Sequence, residues 1–232
     1  MQFGNIKILV VIASVAVWAT FGAIGQVNAQ SPLPDGSSPV SPPPITPPTL
    51  PIVDPANELK GLALVEALRK GGFVLYMRHA ETGVVSEKCD ENSVSAIGSE
   101  NARKVGAAIR DLKIPVGAVR SSHPCRCSVT ASLLGLGAVE LTEDLNPIAP
   151  REGFDIGAAR SKQINEAPAT GKNTVLVSHM HGSRKKEEWV HLQIGEIIVF
   201  KPVANARAEP VARIRVDGWA ELKKSMADAA AL

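Results

Sequence analysis

The stretch VLYMRHAETG, residues 74–83, decides how this chain is read. Phe73 to Met77 is a short, nearly continuous apolar run of the kind that suits a strand buried in a parallel sheet. It runs directly into Arg78 and His79, with Ala80, Glu81, Thr82 and Gly83 behind them. A buried strand that ends on a cation beside an imidazole raises the question of what its carboxyl edge binds.

Outward from that stretch, strands and helices alternate. Leu59, Leu62, Val65 and Leu68 recur at helical spacing, and Gly71-Gly72 stop that helix. On the other side, residues 80–94 read as a polar loop. Ser95 is placed to cap a helix running to about Leu112, in which Val105, Ile109 and Leu112 share a face. Pro115 breaks the chain, and Val116 to Val119 forms a strand ending at Ser121-Ser122. A helix follows from about Cys125 to Leu136, then a short strand over Val139 to Leu141. Residues 142–158 read as irregular and Gly157 to Glu166 as a weak helix. Thr174 to Val177 is the clearest strand and ends in Ser178-His179. Glu196 to Phe200 and Val211 to Val216 close the sheet, and Asp217 caps a last helix.

This order implies an α/β fold, a three-layer α/β/α sandwich with a mostly parallel central sheet. Ligands of such sheets sit outside the carboxyl ends of the strands. Three strands end there in Arg78-His79, in Ser121-Ser122 shortly before Arg126, and in Ser178-His179. Two arginines and two histidines suit a compact, highly charged anion, because the guanidinium fork matches phosphate oxygens. An imidazole in that field is also a competent nucleophile. The expected roles are His79 as the residue that accepts a phosphoryl group, and Arg78, Arg126 and His179 as the groups that hold its oxygens.

The residues also carry a family resemblance. VLYMRHAET resembles the signature of the histidine phosphatase superfamily, whose fold is phosphoglycerate mutase-like. SSHPCRCSVTA, 121–131, is similar to that family's Ser-Ser-x-x-x-Arg segment, and NTVLVSH, 173–179, to the strand that delivers its second histidine. SVSAIGSENARKVGAAIRDLKIP, 93–115, resembles the first long helix. The likeness runs over about 57–222. It implies a phosphomonoester hydrolase with a phosphohistidine intermediate on His79 and a small phosphate ester as substrate, with no cofactor and no metal.

The chain departs from the family pattern in three places. Ala80 replaces a usual glycine. His123-Pro124 stands where a proline and an apolar residue are usual. Many relatives carry a glutamate just after a leucine past the third strand, where this chain reads Leu145-Asn146-Pro147. Glu143, Asp144 and Glu196 are the candidates to replace that general acid. Without an acid, only good leaving groups depart readily.

Cys89 lies in the loop after His79, and Cys125 lies beside Arg126. A Cys89–Cys125 disulfide, with Cys127 free, is the expected pairing, because the two loops that carry them should meet at one strand rim; Cys125 and Cys127 are too close in sequence to bridge each other easily. No cysteine is followed six residues later by the arginine of a cysteine-dependent phosphatase loop. Two rival functions remain. A zinc hydrolase would use His179 and His181, with His191 and His123 nearby in sequence. A non-catalytic module of the same fold would bind a phospho-ligand and lack an effective acid. The basic run 183–186 after His181 reads as a solvated charge run, with further phosphate binding as its alternative.

With 25 basic and 23 acidic side chains the net charge is +2, which leaves no footprint for nucleic acid. Residues 1–29 read as an export signal. Lys7 is the only charge, an apolar run follows to about Ile24, and Val27-Asn28-Ala29 is a small-residue cleavage site. An uncleaved anchor, the only route to membrane contact, is the alternative. Residues 30–56 form a proline-rich spacer, and 57–232 the folded domain. The domain is therefore expected outside the cytoplasm, periplasmic or extracellular.

Overall fold

The computed structural model of the protein describes residues 53–85, 89, 92–180 and 192–231. The export segment, most of the spacer, His181, the basic run 183–186 and His191 lie outside the described residues. The chain divides between Ile45 and Thr46, and every described residue belongs to the second unit. Among the described residues no helix is long and apolar enough to cross a membrane.

The elements follow in the order α1 Gly61–Lys70, β1 Val74–Arg78, β2 Thr82–Val85, β3 Asn92–Val94, α2 Ala96–Asp111, β4 Val116–Ser121, α3 Cys125–Leu134, β5 Val139–Leu141, a 3-10 turn Glu143–Leu145, α4 Ile156–Asn165, β6 Asn173–Ser178, β7 Ile197–Lys201, β8 Glu209–Ile214 and α5 Gly218–Ala230. The six-stranded sheet has the order β5-β4-β6-β1-β7-β8. β5, β4, β6 and β1 are parallel, while β7 and β8 close the edge antiparallel. The expected α/β sandwich with a mostly parallel sheet is the fold of the described chain.

Period-two alternation explains the layers. Leu75 and Met77 of β1 point to one side, with Val175 and Val177 of β6 beside them. That face is covered by α1, α2, α3 and α5 through Leu68, Ile109, Leu134 and Trp219. Val74 and Tyr76 point to the other side, where Leu145, Ile164 of α4, Leu192 and Phe200 cover them. Each fully buried Leu or Ile in these layers stabilises the fold by about 1.5–3 kcal/mol. Both faces of β1 are dry, which accounts for its unbroken apolar sequence.

Local signals set the element ends. Ser95 Oγ accepts from the Gly98 N–H at 3.0 Å, so the cap read from sequence holds. Asp155 caps α4 by accepting from the Gly157 and Ala158 N–H groups. α3 stops at Leu134 because Gly135 takes a left-handed conformation, two residues earlier than the apolar pattern implied. Gly106 of α2 packs against the Leu134 carbonyl, where any β-carbon would collide with it, and this draws α2 and α3 together.

The segment 80–94 differs from its reading as a loop. Thr82–Val85 and Asn92–Val94 pair as a separate two-stranded antiparallel ribbon. Both strands are too short and too polar to show a period-two pattern.

Candidate active site

The parallel strands deliver their ends to one rim. His79 follows β1, Ser122 follows β4 and His179 follows β6, so these three come from adjacent strands of the sheet. Arg126 stands in the first turn of α3, at the same edge. The structure thus brings together all four residues expected from the sequence. The rings of His79 and His179 lie edge to face with centroids 5.5 Å apart. Both residues are only 8% exposed.

The backbone around the nucleophile candidate is held on two sides. The His79 N–H donates to Ser178 O at 2.9 Å, and the Gly195 N–H donates to His79 O at 3.1 Å. The Ala80 N–H donates to Thr130 Oγ1 at 3.0 Å, and that hydroxyl in turn donates to Arg126 O. The Arg126 turn and the His79 turn are therefore tied through one side chain.

Hydrogen-bond partners assign the ring protons. His79 Nδ1 lies 2.9 Å from Ala80 O. A carbonyl only accepts, so Nδ1 carries the hydrogen and Nε2 presents its lone pair. At His179 the assignment runs through Asn146. The His123 backbone N–H donates to Asn146 Oδ1 at 3.0 Å, which fixes that atom as an acceptor. Ser122 Oγ then donates to the same oxygen at 3.1 Å. The serine oxygen must accept from His179 Nε2 at 3.0 Å, so the proton of His179 is on Nε2. Arg126 Nη2 lies 3.4 Å from the remaining nitrogen, Nδ1, and donates to it.

Burial, and then the charge of Arg126, push the His179 pKa down to about 3. His79, Arg160 and Arg78 act in the same direction. The ring is neutral near pH 7, and its part is that of a polar hydrogen-bonding group. Tyr76 lies beneath it and donates its hydroxyl to His179 O at 3.3 Å, while burial raises the phenol pKa. The Cys127 thiol packs on the ring with Sγ 3.4 Å from Nε2.

Arg78 Nη1 donates to Leu192 O at 2.8 Å, and its buried Nε has no hydrogen-bond partner among the described residues. An oxygen atom of a bound anion would satisfy that donor. Leaving such a donor unmade costs about 1–3 kcal/mol, more when it is charged.

Two side chains that the sequence reading passed over belong to this cluster. Arg160 of α4 is buried and donates to Asn146 O at 2.9 Å. The signal available for it was its position on the stripe Ile156, Arg160, Ile164, where spacing calls for an apolar residue. Asn146 has no carboxyl group, but its amide oxygen collects Ser122 and His123.

The three carboxylate candidates are engaged elsewhere. Glu143 accepts from Arg151 at 3.0 Å on the surface. Asp144 accepts from Gln163 Nε2 at 2.7 Å. Glu196, 2% exposed, forms a two-pronged pair with Arg213 at 2.8 and 2.6 Å and also accepts from the Gln193 N–H.

Cys89 and Cys125 are disulfide-bonded and Cys127 is a buried thiol outside the bridge, as expected from their places in the chain. Among the described residues no three His, Cys, Asp or Glu side chains form a group able to hold a metal ion.

No family model matches the chain, and no curated protein matches it. Solved structures do resemble it. One is the protein histidine phosphatase SixA complexed with tungstate, 14% identical, with a TM-score of 0.48, over 62% of this chain and 97% of that one. Another is the putative phosphohistidine phosphatase SixA from Nakamurella multipartitia, 18% identical, with a TM-score of 0.46, over 62% and 95%. A third is a phosphoserine phosphatase mutant from Entamoeba histolytica in complex with phosphoserine, 16% identical, with a TM-score of 0.44, over 63% and 98%. These neighbours are members of the histidine phosphatase superfamily.

Proposed function

We propose that this protein is a phosphomonoester hydrolase working through a phosphohistidine intermediate on His79, with a phosphate ester outside the cytoplasm as substrate. The observation that carries this reading is the orientation of His79. Its Nδ1 faces Ala80 O at 2.9 Å, which makes Nε2 the nitrogen that carries the lone pair, and in the neighbouring residue the buried Nε of Arg78 has no hydrogen-bond partner among the described residues. Arg78 and Arg126 hold the phosphoryl oxygens, and His179, whose Nε2–H goes to Ser122 and whose Nδ1 accepts from Arg126, orients the Arg126 guanidinium. Nε2 of His79 attacks phosphorus in line with the departing oxygen. Water then attacks the phosphohistidine, releasing orthophosphate and restoring the lone pair.

A non-catalytic phospho-ligand binding module of the same fold is the second reading. The engagement of Glu143, Asp144 and Glu196 elsewhere favours it. The test is turnover of p-nitrophenyl phosphate by the purified full-length chain, beside His79→Ala, with acid-labile 32P trapped on protein. Turnover and label, both lost in His79→Ala, support the hydrolase. Binding without turnover or label supports the module. Activity that survives His79→Ala and ends with a chelator points to a zinc hydrolase instead.

A further inference from the structure

We propose that His123 is the general acid, delivering a proton from Nε2 to the leaving oxygen in place of the missing carboxylate. This inference rests on the phosphohistidine reading above.

Asn146 directly follows the 3-10 turn Glu143–Leu145. Its Oδ1 accepts the His123 N–H at 3.0 Å and lies 3.3 Å from His123 Nδ1. Because the backbone N–H fixes that oxygen as an acceptor, Nδ1 carries a hydrogen and points it at the amide. The imidazole is thereby held in one tautomer and one orientation, and Nε2 is the nitrogen left to exchange a proton. A side-chain amide that holds an imidazole in this way is a known arrangement for proton transfer.

The position also fits. Asn146 Oδ1 receives Ser122 Oγ, and Ser122 Oγ bonds His179, so the His123 ring stands three hydrogen bonds from the phosphate pocket. His79 is buried, whereas His123 is exposed. In-line displacement needs that order, with the nucleophile beneath phosphorus and the leaving group on the open side. Of the charged candidates, Glu143 and Asp144 are occupied by Arg151 and Gln163, and Glu196 by Arg213.

The proton balance closes. His79 Nε2 forms a bond to phosphorus as the phosphorus–oxygen ester bond breaks. The bonding pair stays on the ester oxygen, which takes the proton from protonated His123 and leaves as an alcohol. Neutral His123 then removes a proton from the water that displaces His79, and both residues return to their starting state.

The test uses the full-length chain and a series of phosphate esters, from p-nitrophenyl phosphate to simple alkyl phosphates. In His123→Gln the ratio of alkyl to aryl turnover should fall about a hundredfold or more, since an alkoxide needs the proton and a nitrophenolate does not. The dependence of kcat/KM on leaving-group pKa should steepen. Free imidazole should restore part of the alkyl rate in His123→Gly. An unchanged ratio overturns the proposal and leaves the hydrolase reading standing. An equal loss on both esters, or no rescue, also overturns it, because that is what general damage to the site would give. A wild-type chain that hydrolyses neither ester overturns the hydrolase reading, and this proposal with it.

Discussion

Ser122 Oγ and His179 Nε2 lie 3.0 Å apart, and the serine stands between the imidazole and Asn146. Ser122 is fully buried. Ser122→Ala leaves the His179 N–H and one Asn146 lone pair without this partner. The expected cost is about 1–3 kcal/mol of stability. Turnover of aryl phosphate should also drop, because the ring loses the contact that orients it. Urea unfolding and steady-state kinetics on the same preparation check both.

His179 should not titrate in the folded protein between pH 5 and 8. Its folded pKa of about 3 is below the ordinary value of 6.5. Between those limits the unfolded chain binds a proton that the folded chain refuses, so stability rises with pH across that window. The His179 contribution to acid sensitivity begins as pH falls through 6.5 and is complete near 3. Ring-carbon chemical shifts and pH-dependent unfolding of wild type and His179→Gln would reveal it, with the variant showing the shallower slope.

Reduction of the Cys89–Cys125 bridge should destabilise the domain. The cysteines are 36 residues apart, and a loop of that size corresponds to about 4 kcal/mol in the chain-entropy account. Thermal unfolding with and without dithiothreitol, and of Cys89→Ser, gives the value. Cys127 should resist alkylation in the native oxidised protein, because it is completely buried. Rapid labelling of Cys127 without unfolding would contradict the packing.

Glu196 should prove to be a structural residue. Its carboxylate is buried and paired in two places with Arg213, so Glu196→Ala leaves the guanidinium without that partner. A loss of about 3–5 kcal/mol is expected for breaking one side of such a pair. A marginal change in denaturation midpoint would show that the ion pair holds little.

The four candidate site residues were legible because each stands at a fixed place in a repeating pattern. Arg78-His79 and Ser178-His179 follow apolar runs, and Arg126 follows a serine pair by a helical turn. The partners of the carboxylates were not legible. Arg213 meets Glu196 only because β8 pairs with β7, and Gln163 meets Asp144 only because α4 packs on the 3-10 turn. Neither relation has a local signal. Asn146 shows a different limit. Sequence pattern reported a missing carboxylate there, but only the meeting of β4 and the segment after β5 reveals an acceptor in its place. The ribbon of β2 and β3 was missed because its strands have no apolar face to betray them.

β1 lies between β6 and β7, and its end is held further by Ser178 O, Glu196 O and the Gly195 N–H. Amide hydrogens in such a position exchange with solvent only when the whole sheet opens. The segment that carries Arg78 and His79 should then exchange at the rate of global unfolding, far behind the outer strand β8. A chain so arranged has no partly opened form in which the His79 imidazole is exposed while the rest of the domain stays folded. On the proposed hydrolase reading, loss of chemistry and loss of the fold become a single event, and residual activity would serve as a direct count of the folded molecules.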